Sequence, residues 1–364
     1  MWYTLMCPGM KRATARAGEK ATLTALDLFS GCGGLTLGLK RAGFRVVGAV
    51  DNHAPSVKVY RANHPEVRIW RRNITTLSAI KIRRKLKLRS GQLGLIAGCP
   101  PCQAFSTIRT LNGGRVVRDP EKDLLFQILR FVKVLRPKAI MIENVPGLAA
   151  DKRVVIFCAR LARLGYASEF RVLDAAQYGV AQRRRRMILL ASRTKHVRFA
   201  HRSRKLFTVR DAISGLPRPG TSGDPLHDFP EKRSAATMRR IRGIPRNGGS
   251  RTDLPKRWQL PCHHRCDGFK DVYGRMSWRD VSPTITTGCF NPSKGRFLHP
   301  TRNRAVTMRE AALLQGFPKG YRFPEVDSKC LAALMIGNAL LPPFIASHAR
   351  CLRKLLARDA AVSP

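Results

Sequence analysis

The sequence predicts an α/β fold with a mostly parallel sheet and a smaller, irregular second domain. Short apolar runs typical of buried strands alternate with stretches whose apolar residues recur at helical spacing. This alternation fades between Arg193 and Ser277, where Pro, Gly, Arg and His become frequent. The predicted division is a basic leader (1–20), the main α/β domain (21–192), the irregular domain (193–277), a return to the α/β domain (278–355) and a tail (356–364).

The first unit of the α/β domain joins two strands through a glycine turn. A strand is predicted over 23–29 (LTALDLF), a turn over 30–34 (SGCGG), a helix over 35–43 and a strand over 44–50 that ends on Asp51. Glycines let the backbone approach a ligand, a helix N-terminus favours negative charge, and an acid after the second strand suits a ribose diol. These features together predict a site for an adenosine-containing cofactor.

The remaining elements continue the alternation. Strands are predicted over 93–98, 138–142 and 187–191, and helices over 54–63, 122–135, 154–164, 307–315 and 329–350. The basic segment 80–90 (IKIRRKLKLRS) is interpreted as a solvated helix or loop face. Ligands of such sheets bind beyond the carboxyl ends of the strands, so residues that follow strands are the candidate site.

Charge and cysteine content limit the function classes. Sixty-eight Lys and Arg against 23 Asp and Glu give a net charge of +45, which favours binding to a polyanion, either nucleic acid or a membrane surface. No basic amphipathic segment is strong enough to favour the membrane. The ten cysteines are scattered, and no export signal or run of about 18 apolar residues was found. We therefore expect reduced thiols and no membrane span.

Asp51, Cys102 and Glu143 each follow a predicted strand, which indicates one site at a common rim. Two prolines and a glycine precede Cys102 in GCPPCQAFS (98–106) and would hold its thiol in a fixed loop, as a nucleophile requires. Cys99 is interpreted as a packing residue, because prolines separate the two cysteines and no second pair lies nearby. Glu143 either donates a hydrogen bond to a ring nitrogen or forms a structural ion pair with an arginine.

A run of four arginines precedes the predicted strand 187–191. If the segment is extended, side chains alternate, so that Arg184 and Arg186 share one face and Arg183 and Arg185 the other. One pair is then a candidate for the site and the other for solvent or phosphate contacts.

These motifs, taken in order, resemble those of the DNA (cytosine-5)-methyltransferase family. The matching stretches are DLFSGCGG (27–34), VDNHAPSVKVYRANHP (50–65), GCPPCQAFS (98–106), IENVPGL (142–148), QYGVAQRRRR (177–186), RDVSPTITT (279–287), REAALLQGFP (309–318) and IGNALLPP (336–343). The resemblance implies a methyltransferase of the Rossmann-like, S-adenosylmethionine-dependent class, with 193–277 as the target-recognition domain.

The resemblance also implies roles for individual residues. Cys102 would attack carbon 6 of a flipped cytosine, Glu143 would hold ring nitrogen 3 and the exocyclic amine, and Arg184 and Arg186 would help bind the base. The implied S-adenosylmethionine-binding residues are Phe29, Gly31, Gly33, Gly34, Asp51, Asn52, Asn73, Ile74, Pro101, Leu125 and Asn338. The chain departs from the family pattern at Asn52, Asn73 and Gly94, and in the extra residue of GNALLPP.

The resemblance implies double-stranded DNA as substrate, with a cognate restriction endonuclease acting separately as a further partner. We expect a monomer in the bacterial cytoplasm, associated with the nucleoid and not with membrane. Two alternatives are a tRNA cytosine-5 methyltransferase of the same fold and a DNA-binding protein that has lost catalysis. No metal is predicted, because CHHRC (262–266) places its candidate ligands too close together for one zinc ion.

Overall fold

The computed structural model describes residues 22–101, 124–194, 196–262 and 271–362, and it contains a seven-stranded sheet. The strands are β1 (Thr24–Leu28), β2 (Arg45–Asp51), β3 (Arg68–Arg71), β4 (Leu95–Gly98), β5 (Ala139–Asn144), β6 (Ala167–Asp174) and β7 (Arg185–Ser192). Their order is β3-β2-β1-β4-β5-β7-β6. Only the pairs that β7 makes with β5 and β6 are antiparallel, so the predicted α/β fold with a mostly parallel sheet is confirmed.

Burial explains which strands the sequence revealed. β4 and β5 are buried along their whole length, as strands covered on both faces must be, and they read as apolar runs up to Glu143 and Asn144 at the end of β5. The two edge strands, β3 and β6, were not predicted. Both carry exposed arginines, and neither contains a fully buried residue.

Helices cover both faces of the sheet. They are α1 (Gly34–Arg41), α2 (Ala54–Asn63), α3 (Ala79–Lys85), α4 (Leu124–Leu135), α5 (Lys152–Arg163), α6 (Val209–Ile213), α7 (Pro225–Asp228), α8 (Ala235–Gly243), α9 (Met308–Leu314), α10 (Lys329–Asn338) and α11 (Pro342–Val362). One apolar core joins the sheet to α1, α2 and α11, and a second joins its other face to α3, α4 and α5.

The C-terminal helix differs from the prediction in two ways. The helix predicted over 329–350 is two helices, because the chain breaks before Pro342 and Pro343, which suit the start of a helix but not its interior. α11 also continues to Val362, so residues 356–362 extend this helix and do not form a separate tail.

Within Lys329–Arg358, an 18-residue window with a mean hydropathy of 1.7 is apolar enough by composition to cross a membrane, although no membrane span was expected. This window is 67% buried inside the protein. Burial of this kind is typical of a core helix, and Phe344, Ile345 and Leu352 belong to the core that contains α1.

The irregular region shares its packing with the chain that follows it. Short helices α6 and α7 pack in one apolar core with α9, and residues of α8 form a small cluster with Tyr273 and Leu298. The fully buried Arg275 donates to five oxygens, namely the carbonyls of Ile241, Ile244, His299 and Arg302 and Oδ1 of Asn303. The domain boundary predicted after residue 277 therefore passes through a packed cluster.

Candidate active site

A cavity of about 700 Å³ lies at the carboxyl ends of β1, β2, β4 and β5. It brings together most of the residues predicted for cofactor binding and chemistry, namely Phe29, Gly31, Asp51, Asn52, Asn73, Ile74, Pro101, Glu143, Arg184, Arg186 and Asn338. Cys102 lies outside the described residues, but Pro101, which precedes it in the chain, lies on the cavity wall.

Three predicted cofactor residues are absent from the described lining. Gly33, with φ of 99°, packs inward, and a Cβ there would lie 2.5 Å from Oη of Tyr321. A Cβ on Gly34 would lie 2.3 Å from the carbonyl oxygen of Leu340, so both glycines permit close packing behind the turn. Leu125 is buried in the core on α4, and its neighbour Leu124 lines the cavity instead.

The turn after β1 has an unusual backbone. Phe29 adopts φ of 65°, in the left-handed region that a bulky residue rarely occupies, and Gly31 follows with φ of 53°. No atom lies within 4 Å of the position that a Cβ on Gly31 would take. The turn thus leaves open space above its backbone, where a ligand can approach.

Asp51 closes this turn from the end of β2. Its Oδ2 accepts the backbone N–H of Gly31, and its Oδ1 accepts that of His53, both at 2.8 Å. A carboxylate has about four acceptor sites, so each oxygen keeps capacity for a further donor. The carboxyl group is held in place and is still able to accept bonds from a diol.

Asn73 is more constrained than the sequence indicated. Its Oδ1 accepts from the backbone N–H of Thr75 at 3.1 Å and from Oγ1 of Thr75 at 3.0 Å. Because the oxygen already has two donors, the group that remains for a ligand is the Nδ2 amide, which donates.

Glu143 is held from both of its oxygens. It lies within β5, not after the strand as predicted, and only 4% of its surface is exposed. Its Oε1 is 3.1 Å from Nε of Arg186, and its Oε2 accepts from Sγ of Cys99 at 2.9 Å. Cys99 packs against the core that contains α1, as predicted, but its thiol also lines the cavity and donates a hydrogen bond to a predicted catalytic carboxyl group.

The four arginines alternate as the sequence predicted. Arg184 and Arg186 line the cavity, whereas Arg183 and Arg185 are exposed. Nη1 of Arg184 donates to the carbonyl of Ile285 and Nη2 to that of Gly337, each at 2.9 Å. Burial, and then the neighbouring Arg186, lower the pKa of Arg184 to about 9. Arg184 therefore ties three distant segments together at the cavity wall.

Gln182 strengthens this junction. Its Oε1 accepts the backbone N–H of Ile285 at 2.9 Å, and its Nε2 donates to Oε1 of Gln315 at 2.7 Å. Gln315 in turn donates to the carbonyl of Ile336. This chain of buried amides fixes the arginine segment against the segments around 285, 315 and 336.

An acid that was not predicted to matter lies beneath the turn. Asp27 is fully buried, its Oδ2 accepts from Oγ1 of Thr36 at 2.7 Å, and its Oδ1 has no partner among the described residues. Burial raises the pKa of Asp27 to about 7. Its position inside the apolar strand 23–29 concealed it in the sequence.

Other cavity residues were missed although they adjoin predicted ones. His53 caps α2 through its ring, Arg72 precedes Asn73, and Leu334 and Met335 come shortly before Asn338. The sequence offers one indication of these residues, their closeness to a motif. Whether their side chains face the cavity depends on the fold.

Most of the CHHRC segment (262–266), for which no metal binding was predicted, lies outside the described residues. Cys262 is exposed, and His263, His264, Arg265 and Cys266 lie outside the described residues. Within the described ranges, no group of three or more His, Cys, Asp or Glu side chains is arranged to hold a metal ion.

Comparison with known proteins accounts for almost the whole chain. The family model for C-5 cytosine-specific DNA methylase matches residues 23–354. The Type II methylase M.HgiDII of Herpetosiphon aurantiacus is 34% identical over 86% of this chain and 90% of its own length. The Type II methyltransferase M1.HphI of Haemophilus parahaemolyticus is 31% identical over 89% and 85%, respectively.

Solved structures agree with the fold. A structure described as that of a DNA modification methyltransferase encoded within a prophage (E. coli) has a TM-score of 0.66 and 25% identity, and covers 92% of this chain and 99% of the other. The Dnmt2 methyltransferase of S. pombe has a TM-score of 0.60 with the same coverages, but its 20% identity supports the fold alone.

Proposed function

Since the chain belongs to the C-5 cytosine-specific DNA methylase family, we propose that it modifies one cytosine of a specific double-stranded DNA sequence through a covalent bond to Cys102. The chain is a DNA (cytosine-5)-methyltransferase, and its cofactor is S-adenosylmethionine.

The cavity fits this cofactor in size and in donor set. Asp51 would accept hydrogen bonds from the ribose hydroxyls through oxygens that the Gly31 and His53 amides already orient. Phe29 would pack on the adenine ring, and Ile74, Pro101 and Asn338 would supply the neighbouring walls, with Asn52 and Asn73 at the rim. When bound, S-adenosylmethionine supplies an electrophilic methyl group.

The target base would enter the other end of the cavity. A cytosine inside a stacked duplex is out of reach, so it must swing out at a cost of about a few kcal/mol. Glu143 would then bind ring nitrogen 3 and the exocyclic amine, while Arg186 holds its Oε1. Arg184 would mainly hold the cavity wall in place, because both of its terminal nitrogens already donate to backbone carbonyls.

Cys102 would supply the nucleophile. Its thiolate attacks carbon 6, which forms a sulfur–carbon bond and shifts the electrons of the 5,6 double bond to carbon 5. Carbon 5 thereby becomes nucleophilic enough to accept a methyl group. Loss of the proton from carbon 5 and cleavage of the sulfur–carbon bond then restore the double bond and release the thiolate.

The charge of the chain supports duplex DNA as the substrate. A net charge of +45 suits phosphate contacts, and the exposed arginines around the irregular region would position the duplex. Because the relatives named above are Type II methylases, we expect the enzyme to act in a restriction-modification system, beside a separate endonuclease with the same recognition sequence. Such a role places it in the cytoplasm, on the nucleoid.

The observation that carries the proposal is the Glu143–Arg186 pair in the same cavity as Asp51. Cys102→Ser should abolish methylation of duplex DNA in single-turnover assays while DNA binding stays within a few-fold of wild type. DNA with 5-fluorocytosine should trap the wild-type chain as a denaturation-resistant adduct, since the fluorine cannot leave as a proton does. Methylation at near wild-type rate by the serine variant would remove Cys102 from the mechanism.

A further inference from the structure

The Glu143 carboxyl group is fixed by two different donors. The guanidinium of Arg186 contacts Oε1 at 3.1 Å, and the thiol of Cys99 donates to Oε2 at 2.9 Å. One donor is a cation and the other is neutral, so the two oxygens are chemically distinct. All three side chains line the cavity.

Cys99 is itself anchored on both sides. Its backbone N–H donates to the carbonyl of Leu28 at 3.3 Å, which extends the pairing of β4 with β1. The carbonyl of the next residue, Pro100, accepts from Nδ2 of Asn144 at 3.1 Å. Asn144 follows Glu143 in β5, so the thiol and the carboxyl group belong to two adjacent strands that are locked together.

The Cys99 thiol acts only as a hydrogen-bond donor toward Glu143. Burial, and then the neighbouring Glu143 carboxyl group, raise the pKa of Cys99 well above its usual value of 9.0, so the sulfur keeps its proton. A thiol sulfur is also a weak acceptor, whereas a hydroxyl accepts as readily as it donates. The Cys99 contact therefore occupies one acceptor site of Oε2 and draws no proton toward the sulfur.

We propose that Cys99 is a positioning residue, whose thiol turns the remaining acceptor site of the Glu143 Oε2 toward the cytosine edge. Arg186 fixes the opposite oxygen, and together the two donors leave the carboxyl group a single orientation in the cavity. The free acceptor site of Oε2 would then face the exocyclic amine of the cytosine and not the protein wall. This inference rests on the role proposed for Glu143.

The test uses single-turnover methylation by the full chain with saturating duplex DNA and cofactor. Cys99→Ala should lower the rate roughly tenfold, the usual value of one hydrogen bond, while the dissociation constants for DNA and S-adenosylmethionine change less than about twofold. Cys99→Ser, which restores a donor, should recover part of the rate. Cys158→Ala is the matched control, because it removes a half-buried thiol beside Ser168, away from the cavity.

A double variant separates positioning from packing. In the Glu143→Gln background, adding Cys99→Ala should cost less than about twofold, since no carboxylate remains to be oriented. If Cys99→Ala alone keeps the wild-type rate, if serine is no faster than alanine, or if the two losses simply multiply, the positioning role is wrong. If Glu143→Gln keeps the wild-type rate, the proposed role of Glu143 has failed as well, and the two failures are thus distinguished.

Discussion

Replacing Asp51 by Asn should weaken cofactor binding far more than it weakens the fold. The carboxylate accepts one backbone N–H on each oxygen, at 2.8 Å, and is proposed to accept the ribose hydroxyls as well. The amide keeps the shape but replaces one acceptor oxygen with a donor, which must face either a backbone N–H or the ribose. Either arrangement loses one charge-assisted hydrogen bond.

The expected size follows from the energy of such a bond. Hydrogen bonds to charged groups contribute about 1.5–3 kcal/mol, and about 1.4 kcal/mol corresponds to a factor of ten in affinity. The dissociation constant for S-adenosylmethionine should therefore rise roughly 10- to 100-fold in Asp51→Asn. The melting temperature should fall by a few degrees at most, because one of the two backbone amides keeps its partner.

Titration calorimetry with two ligands isolates the ribose contact. The wild-type chain should bind the 2′-deoxy analogue of S-adenosylhomocysteine much more weakly than the parent compound, and Asp51→Asn should discriminate far less between them. Asp151→Asn serves as the control, since it alters a carboxylate that accepts the backbone N–H of Arg153 at the start of α5, outside the cavity lining. Equal discrimination by wild type and Asp51→Asn would refute the ribose assignment.

Three further predictions concern the scaffold. Arg275→Met should lower the free energy of unfolding in urea by about 3–5 kcal/mol, because five buried acceptors lose their donor, whereas the exposed Arg279→Met should cost less than about 0.5 kcal/mol. Burial lowers the pKa of His348 to about 4 from 6.5, so the unfolded chain binds the proton first and stability is lost as pH falls from about 6.5 toward 4. The loss between pH 7 and 5 should be about 2 kcal/mol smaller in His348→Leu, and an unchanged difference would contradict this reasoning. Gly33→Ala should reduce both melting temperature and soluble yield, because its φ of 99° and the 2.5 Å approach to Tyr321 leave no room for a methyl group; a wild-type melting temperature would show that the turn relaxes freely.

The sequence predicted best those strands whose burial on both faces produces a run of apolar residues. The central strands read as largely apolar runs because helices cover both faces. Asp51 and Glu143 were noticed because each follows such a run, whereas Asp27, inside its run, was missed. The edge strands β3 and β6 show no such apolar run, since their exposed positions carry charged side chains.

Contacts between side chains from separate elements could not be predicted from the sequence pattern. The hydrogen bond from Cys99 to Glu143 depends on the register between β4 and β5 and on the direction of both side chains. A sequence motif predicts neither of these. The choice between Leu124 and Leu125 depends on the rotation of α4, which apolar spacing alone did not fix. The roles of the site residues stay predictions, whereas the boundary predicted after residue 277 and the separate tail predicted from residue 356 disagree with the contacts of Arg275 and with the length of α11.

The cavity joins residues from both ends of the described chain to residues from its middle strands. Its walls combine residues 29–74, near the start, with residues 334–340, near the end, and α11 completes the layer beside α1. During synthesis, strands β1 to β3 leave the ribosome long before residues 334–340 and α11 do. The first βαβ unit alone therefore cannot form the complete pocket for the methyl donor, because one wall of it comes from residues 334–340.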